Sequence, residues 1–217
     1  MFKIKSLSMI AAAILVSAGS AQAALPGAYL GGQLGWDNIH QAGFSNSDMN
    51  ELLGPGTTSS TSTSGNKGLG GRLFAGYQFN ENWAVETGWT KFHNMSSRGT
   101  AVNGSTTVSA SGTLKADALD VVAKGILPLQ NNFSVFGKLG LAYLMERAKV
   151  SLTGAGVSLS DSDRTNKVYP TFGLGVGYDF TQNVSGDLSW TRIQKIGSNS
   201  SMASTDFIGL GLAYHFG

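Results

Sequence analysis

The sequence predicts an all-β protein, an eight-stranded antiparallel up-and-down transmembrane β-barrel. Three observations predict it. Eight segments alternate large apolar residues with small or polar ones at a period of two. The connections between them alternate strictly between short and long. Aromatic residues gather at both ends of the segments, on one parity.

The chain opens with Lys3 and Lys5, an apolar run over residues 9–18, and Ala21-Gln22-Ala23. A charged start, a short apolar core and an A-x-A site predict a cleaved signal peptide over 1–23, with a barrel domain over 24–217. The apolar run is too short to span a bilayer as a helix.

The strands follow in order. Residues 28–36 place Leu30, Leu34 and Trp36 against Tyr29, Gly31, Gln33 and Gly35. Residues 69–79 place Leu73, Ala75, Tyr77 and Phe79 against Arg72, Phe74 and Gly76. Residues 83–92 set Trp83, Val85 and Trp89 against Glu86 and Gly88. Residues 119–127 set Leu119, Val121 and Leu127 against Asp120 and Lys124. Residues 133–145 set Phe133, Leu139, Leu141 and Tyr143 against Lys138, Gly140 and Ala142. Residues 168–180 set Phe172, Leu174, Tyr178 and Phe180 against Thr171 and three glycines. Residues 184–192 set Val184, Leu188 and Trp190 against Ser185 and Asp187. Residues 206–216 close the series with Ile208, Leu210, Leu212, Tyr214 and Phe216 against Phe207, two glycines, Ala213 and His215. A soluble sheet would make its second face polar; lipid outside and a crowded interior explain a face of glycine and alanine. Each strand is expected to run about ten residues, enough to cross a bilayer at a tilt.

Residues 80–82, 128–132 and 181–183 read as tight turns. The stretches 38–68, 94–112, 148–167 and 196–205 read as longer Ser/Thr/Gly-rich loops. Tight turns on the periplasmic side and long loops outside are the barrel pattern. The Ser/Thr run over 57–64 reads as a solvated loop rather than a dedicated binding epitope. Trp36, Trp89 and Trp190 form an expected outer aromatic belt. Phe79, Trp83, Phe133, Tyr178, Phe180, Tyr214 and Phe216 form an inner one.

Composition excludes several functions. The chain holds 15 basic and 13 acidic residues, and without Lys3 and Lys5 it holds 13 of each, so nucleic-acid binding has no electrostatic support. Cysteine is absent, and past the signal there is no apolar run of membrane-helix length.

The chain resembles the membrane-domain family of outer-membrane protein A. The resemblance rests on Tyr29-Leu-Gly-Gly-Gln-Leu-Gly-Trp36, Trp83-Ala-Val-Glu-Thr-Gly-Trp89, Val121-Val-Ala-Lys-Gly-Ile-Leu-Pro128 and Phe172-Gly-Leu-Gly-Val-Gly-Tyr178. It covers nearly all of the mature chain. The terminal Gly211-Leu-Ala-Tyr-His-Phe216 is similar to the signal read by the barrel-assembly machinery, with Gly211, Tyr214 and Phe216 as its marked positions. Larger members add a periplasmic domain that grips peptidoglycan. The sequence ends with the eighth strand, so that function is not expected here.

Inward parity collects Arg72, Glu86, Asp120, Lys124, Lys138, Glu146 and Asp187. Buried charges must pair or be hydrated, and side chains can fill an eight-stranded barrel. The resemblance implies a charged plug at Glu86 and Lys124. By their place on the strands, Lys138 and Asp187 start from the same side and could join it. Gly177 stands where family members can carry a carboxylate. A salt-bridged polar core that blocks the lumen is the favoured reading; a gate that opens a narrow pore is its competitor.

Catalysis has weak support. His40 and His93 lie near the outer rim with Ser45, Asp48 and Ser96 close in sequence, but the spacing matches no motif. His215 belongs to the turn end. No cofactor or metal site is expected, because cysteine is absent and no two histidines share a helical turn. The expected partners are outer-membrane lipid and lipopolysaccharide, the barrel-assembly machinery, and host or surface ligands met through four loops. A monomer is expected. An adhesin, a narrow solute channel and a lipid-modifying enzyme are the competing functional classes.

Overall fold

The structure, a computed structural model, describes residues 26–39, 57–64, 67–154, 157–194 and 204–216. The predicted signal peptide lies outside the described residues, as do most of the first loop and the 196–203 stretch. The described chain forms ten β-strands: β1 (Gly27–Ile39), β2 (Thr58–Ser64), β3 (Lys67–Gln78), β4 (Trp83–Lys91), β5 (Met95–Asn103), β6 (Thr106–Pro128), β7 (Phe133–Gly154), β8 (Val157–Asp179), β9 (Val184–Ile193) and β10 (Thr205–His215).

Eight of them are barrel staves, in the order β1-β3-β4-β6-β7-β8-β9-β10. Every pairing is antiparallel. β1 pairs with β10 from Tyr29↔His215 to Ile39↔Thr205, and β6 pairs with β7 from Pro128↔Ser134 upward, so no stave is left with an edge along the wall. Closure satisfies every backbone donor within the bilayer, which water cannot do there.

Burial follows the predicted parity. In β1, Gln33 is 3 % exposed and its neighbour Leu34 is 69 % exposed. Leu73, Leu139, Leu174 and Leu210 all point outward and are likewise exposed. Large apolar side chains outside and polar ones inside invert a soluble core, as lipid requires. On β6–β8 the apolar outer face runs from Phe133 and Tyr178 up to a row of Leu119, Tyr143 and Val168. At roughly 3.3 Å per residue and a tilt of about 40°, that stretch spans about 25 Å of height, the thickness of a barrel's apolar band.

The tight turns sit at one end. Asn80 Oδ1 accepts from the backbone N–H groups of Asn82 and Trp83, both at 2.9 Å. Thr181 Oγ1 accepts from Asn183 and Val184 at 3.2 and 3.0 Å. Asn131 and Asn132 take φ of 60° and 64°, left-handed values that asparagine tolerates.

The other end departs from the sequence reading. Three strands are far longer than ten residues: β6 has 23, β7 has 22 and β8 has 23. Residues 94–112 and 148–167, read as loops, are mostly strand. β5 returns along the upper part of β6 through a two-residue turn whose Gly104 has φ +59°, and β2, the Ser/Thr run, pairs along β5 from Thr58↔Val102 to Ser64↔Ser96. A five-stranded sheet, β2-β5-β6-β7-β8, therefore stands above the barrel on one flank. Their outward face is polar, and their apolar side chains, such as Ala110, Val150 and Leu152, fall on the inward parity, so no lipid-facing alternation marked them. Ser and Thr also read as loop formers, although Thr suits a strand.

Candidate functional site

The lumen is filled at three levels. At the turn end, Tyr29, Phe74, Ala84 and Ala213 pack together, with Ile126 against them. At the outer end, Ile39, Phe92, Leu144, Tyr169, Ile193 and Phe207 close over the alanines of β6 and β7. Between these apolar layers lie the charges.

Arg72, from β3, is the hub of that middle layer. Its Nη1 donates to Glu86 Oε1 at 2.7 Å, while Nη2 and Nε donate to the two oxygens of Asp120 at 2.7 and 3.3 Å. Lys138 Nζ donates to Glu86 Oε1 at 2.8 Å, and the Tyr29 hydroxyl donates to Glu86 Oε2 at 3.1 Å. The four ionised groups balance at two of each sign. All four are nearly inaccessible to water. A rigid guanidinium fork suits this task, because it serves two carboxylates at once. The register explains how it reaches them. Asp120 lies directly opposite Gly88, and the guanidinium passes over Gly88, where a Cβ would sit 2.3 Å from Nη2.

Lys124 is placed differently from the expected plug. Glu86 is held by Arg72 and Lys138, and Lys124 makes no ion pair among the described residues. Its Nζ lies over the rings of Phe136, at 4.3 Å, and Tyr29, at 5.8 Å. Lys124 pairs across the strands with Lys138, so two ammonium groups share one register. Repulsion turns one toward Glu86 and the other toward the turn end, where it lines a cavity of about 300 Å³ with Asp179, Asp187 and Ser185. Asp187 also stands outside the main network. It accepts from Gln33 Nε2, which donates to Ser189 Oγ at 3.0 Å as well.

The outer rim holds a pair that sequence reasoning missed. Asp37 accepts from the backbone N–H of His93 at 2.9 Å, and its other oxygen bonds the His93 ring at Nδ1. Asp37 lies just past the strand end read from sequence, and 56 residues separate the partners. His40, Ser45 and Asp48 lie outside the described residues. Ser97, next to Ser96, is buried in β5. Glu146 sits above the apolar band, on the inner face of β7. Burial, offset in part by Lys167, pushes its carboxyl up to about 7.

The aromatic side chains occupy two levels on the outer surface. Trp36 and Trp89 are exposed at the upper one. Trp190 is half-buried there: its ring meets Phe172 edge-on at 5.7 Å, and its Nε1 donates to Asp206 at 3.1 Å. At the turn end, the rings of Phe133–Tyr178, Tyr178–Phe180 and Tyr214–Phe216 meet tilted or edge-on at 4.8 to 5.1 Å between centroids, and Phe79 and Trp83 are exposed beside them. Gly211, in the terminal strand, faces inward, where a Cβ would meet Asp187 and Gln33. Among the described residues no group of three or more His, Cys, Asp or Glu could hold a metal ion.

A closed wall with an apolar exterior, a paired polar interior and aromatic rings at both interfaces defines an integral outer-membrane barrel. The chain belongs to the outer membrane protein beta-barrel domain family, whose model matches residues 8–216. It is 27 % identical over 192 residues to outer membrane protein A of Klebsiella pneumoniae, covering 87 % of this chain and 51 % of that one. It is 30 % identical over 181 residues to an uncharacterized protein of Coxiella burnetii, covering 73 % of this chain and 72 % of that one. The chain thus spans about half the length of its outer membrane protein A relative. The N-terminal β-barrel domain of Pseudomonas aeruginosa OprF shares the fold, with a TM-score of 0.50 at 10 % identity over 88 % of this chain and 98 % of that domain.

Proposed function

We propose that the protein is a structural and surface-interactive element of the outer membrane, with a closed lumen and an extended sheet outside. The occluded lumen supports this reading most directly. Two apolar layers enclose a neutral ion-paired layer, and moving water or ions through it would break bonds that hold buried charges. The barrel-assembly machinery is its proposed partner in biogenesis, with Tyr214 and Phe216 as the terminal aromatic signal. Surface ligands would meet the sheet and the segments that join it. Catalysis has no part in this reading.

Planar-bilayer recording of the refolded protein tests it. Wild type is expected to give no steady conductance. The Lys124 ammonium and the cavity beneath it favour a second reading, a narrow channel for small solutes. That reading expects brief openings whose frequency changes on Glu86→Gln and Lys124→Gln. Silence in all three proteins removes the channel; steady conductance in wild type removes the closed lumen.

A further inference from the structure

The two faces of the outer sheet carry opposite charge. Two outward rows above Leu119, Tyr143 and Val168, the register places Lys115 opposite Arg147 and Arg147 opposite Arg164. Lys149 lies one row higher on the same face, and Arg98, paired with Ser111, lies above that. All five are exposed, and none has an ion-pair partner among the described residues. Outward Asp117 stands opposite Lys91, one row below the ladder. The acids Glu146, Asp161 and Asp163 fall on the opposite parity and face the other way. Like charges directly across adjacent strands destabilise a sheet. Three in one row, with the acids turned away, call for an anion to offset them.

We propose that this ladder binds the phosphate groups of glycolipids in the outer leaflet. Height supports the assignment. Four residues above the last apolar row is roughly 10 Å at barrel tilt, which is the headgroup zone. Lys and Arg reach farther still by extending their stems along the wall. Arginine accepts phosphate through two parallel hydrogen bonds, and a row of cations on one flat face matches a row of headgroups. The inference rests on the outer-membrane reading, with β6–β8 rising outside.

The test is the mature chain in phosphatidylcholine nanodiscs doped with diphosphoryl lipid A, or with the same glycolipid stripped of phosphate. Lipid retention is read by native mass spectrometry. Retention of the phosphorylated form is expected to exceed that of the stripped form and to fall with salt. In Lys115→Gln/Arg147→Gln/Arg164→Gln it should weaken roughly a hundredfold, at about fivefold per cation near an anionic surface. Lys67→Gln/Lys167→Gln removes two cations elsewhere and should match wild type. Equal retention of both lipids by wild type, or equal retention of the phosphorylated lipid by the triple variant and wild type, overturns the proposal. Ser160→Cys, in a chain without cysteine, separates the two readings. Labelling of intact cells by an impermeant maleimide, with no phosphate discrimination, removes the phosphate site alone. Labelling only after lysis removes the outward orientation and the proposal with it.

Discussion

At the scale of single residues, Gly88 decides the geometry of the charged layer. It lies opposite Asp120, and only its missing Cβ lets Arg72 reach both carboxylates. Gly88→Ala is expected to displace the guanidinium and destabilise the barrel by about 1–3 kcal/mol, read from urea unfolding by tryptophan fluorescence. Glu146 sets a pH dependence. Its carboxyl keeps a proton to about pH 7 when folded and releases it near the ordinary 4.5 when unfolded. Between those values the folded state binds more protons, so stability falls as pH rises and levels off above about 7. In Glu146→Gln that slope should vanish from a series of unfolding midpoints. Parity alone placed Arg72, Glu86, Asp120 and Lys138 inside. It did not give the partners, because strand parity fixes a side chain's direction and not its reach over a glycine. Lys124 illustrates this: sequence set it beside Glu86, whereas its cross-strand neighbour Lys138 takes that bond.

Among elements, the β7–β8 hairpin stands out, with register unbroken from Phe133↔Tyr178 to Gly154↔Val157. Its lower half was legible because lipid demands apolar side chains at every second position. Its upper half meets water on its outer face, where Lys149, Ser151 and Thr153 satisfy no apolar rule, so it read as loop. The Gly104-Ser105 pair was a usable turn signal that the Ser/Thr composition around it obscured. Removing residues 149–162 and joining 148 to 163 through a two-residue Asn-Gly turn should leave the staves intact. The shortened protein should still fold in detergent, while amide exchange in β6 above Lys115 should quicken as its neighbour is lost. Loss of folding would show that the outer sheet is needed to assemble the barrel.

For the whole molecule, an exterior of leucine and aromatic residues around a closed hydrogen-bonded wall predicts heat-modifiable mobility. Unboiled protein should run apart from boiled protein on a detergent gel, and a single band under both conditions would contradict closure. Fold and compartment were legible because they depend on period, connection length and aromatic placement, all of which a linear text preserves. The lopsided outer sheet was not, since it depends on pairing among strands whose outward face is polar. That asymmetry has a consequence in the plane of the bilayer. Among the described residues, the β6–β8 flank rises about eleven residues past its last apolar row, whereas β9, β10 and β1 end near theirs. Among the described residues, the paired strands are therefore tall on one side and short on the other. A neighbouring protein arriving from the tall side meets a screen of paired strands. Contacts formed on that flank in a crowded membrane would then be directional.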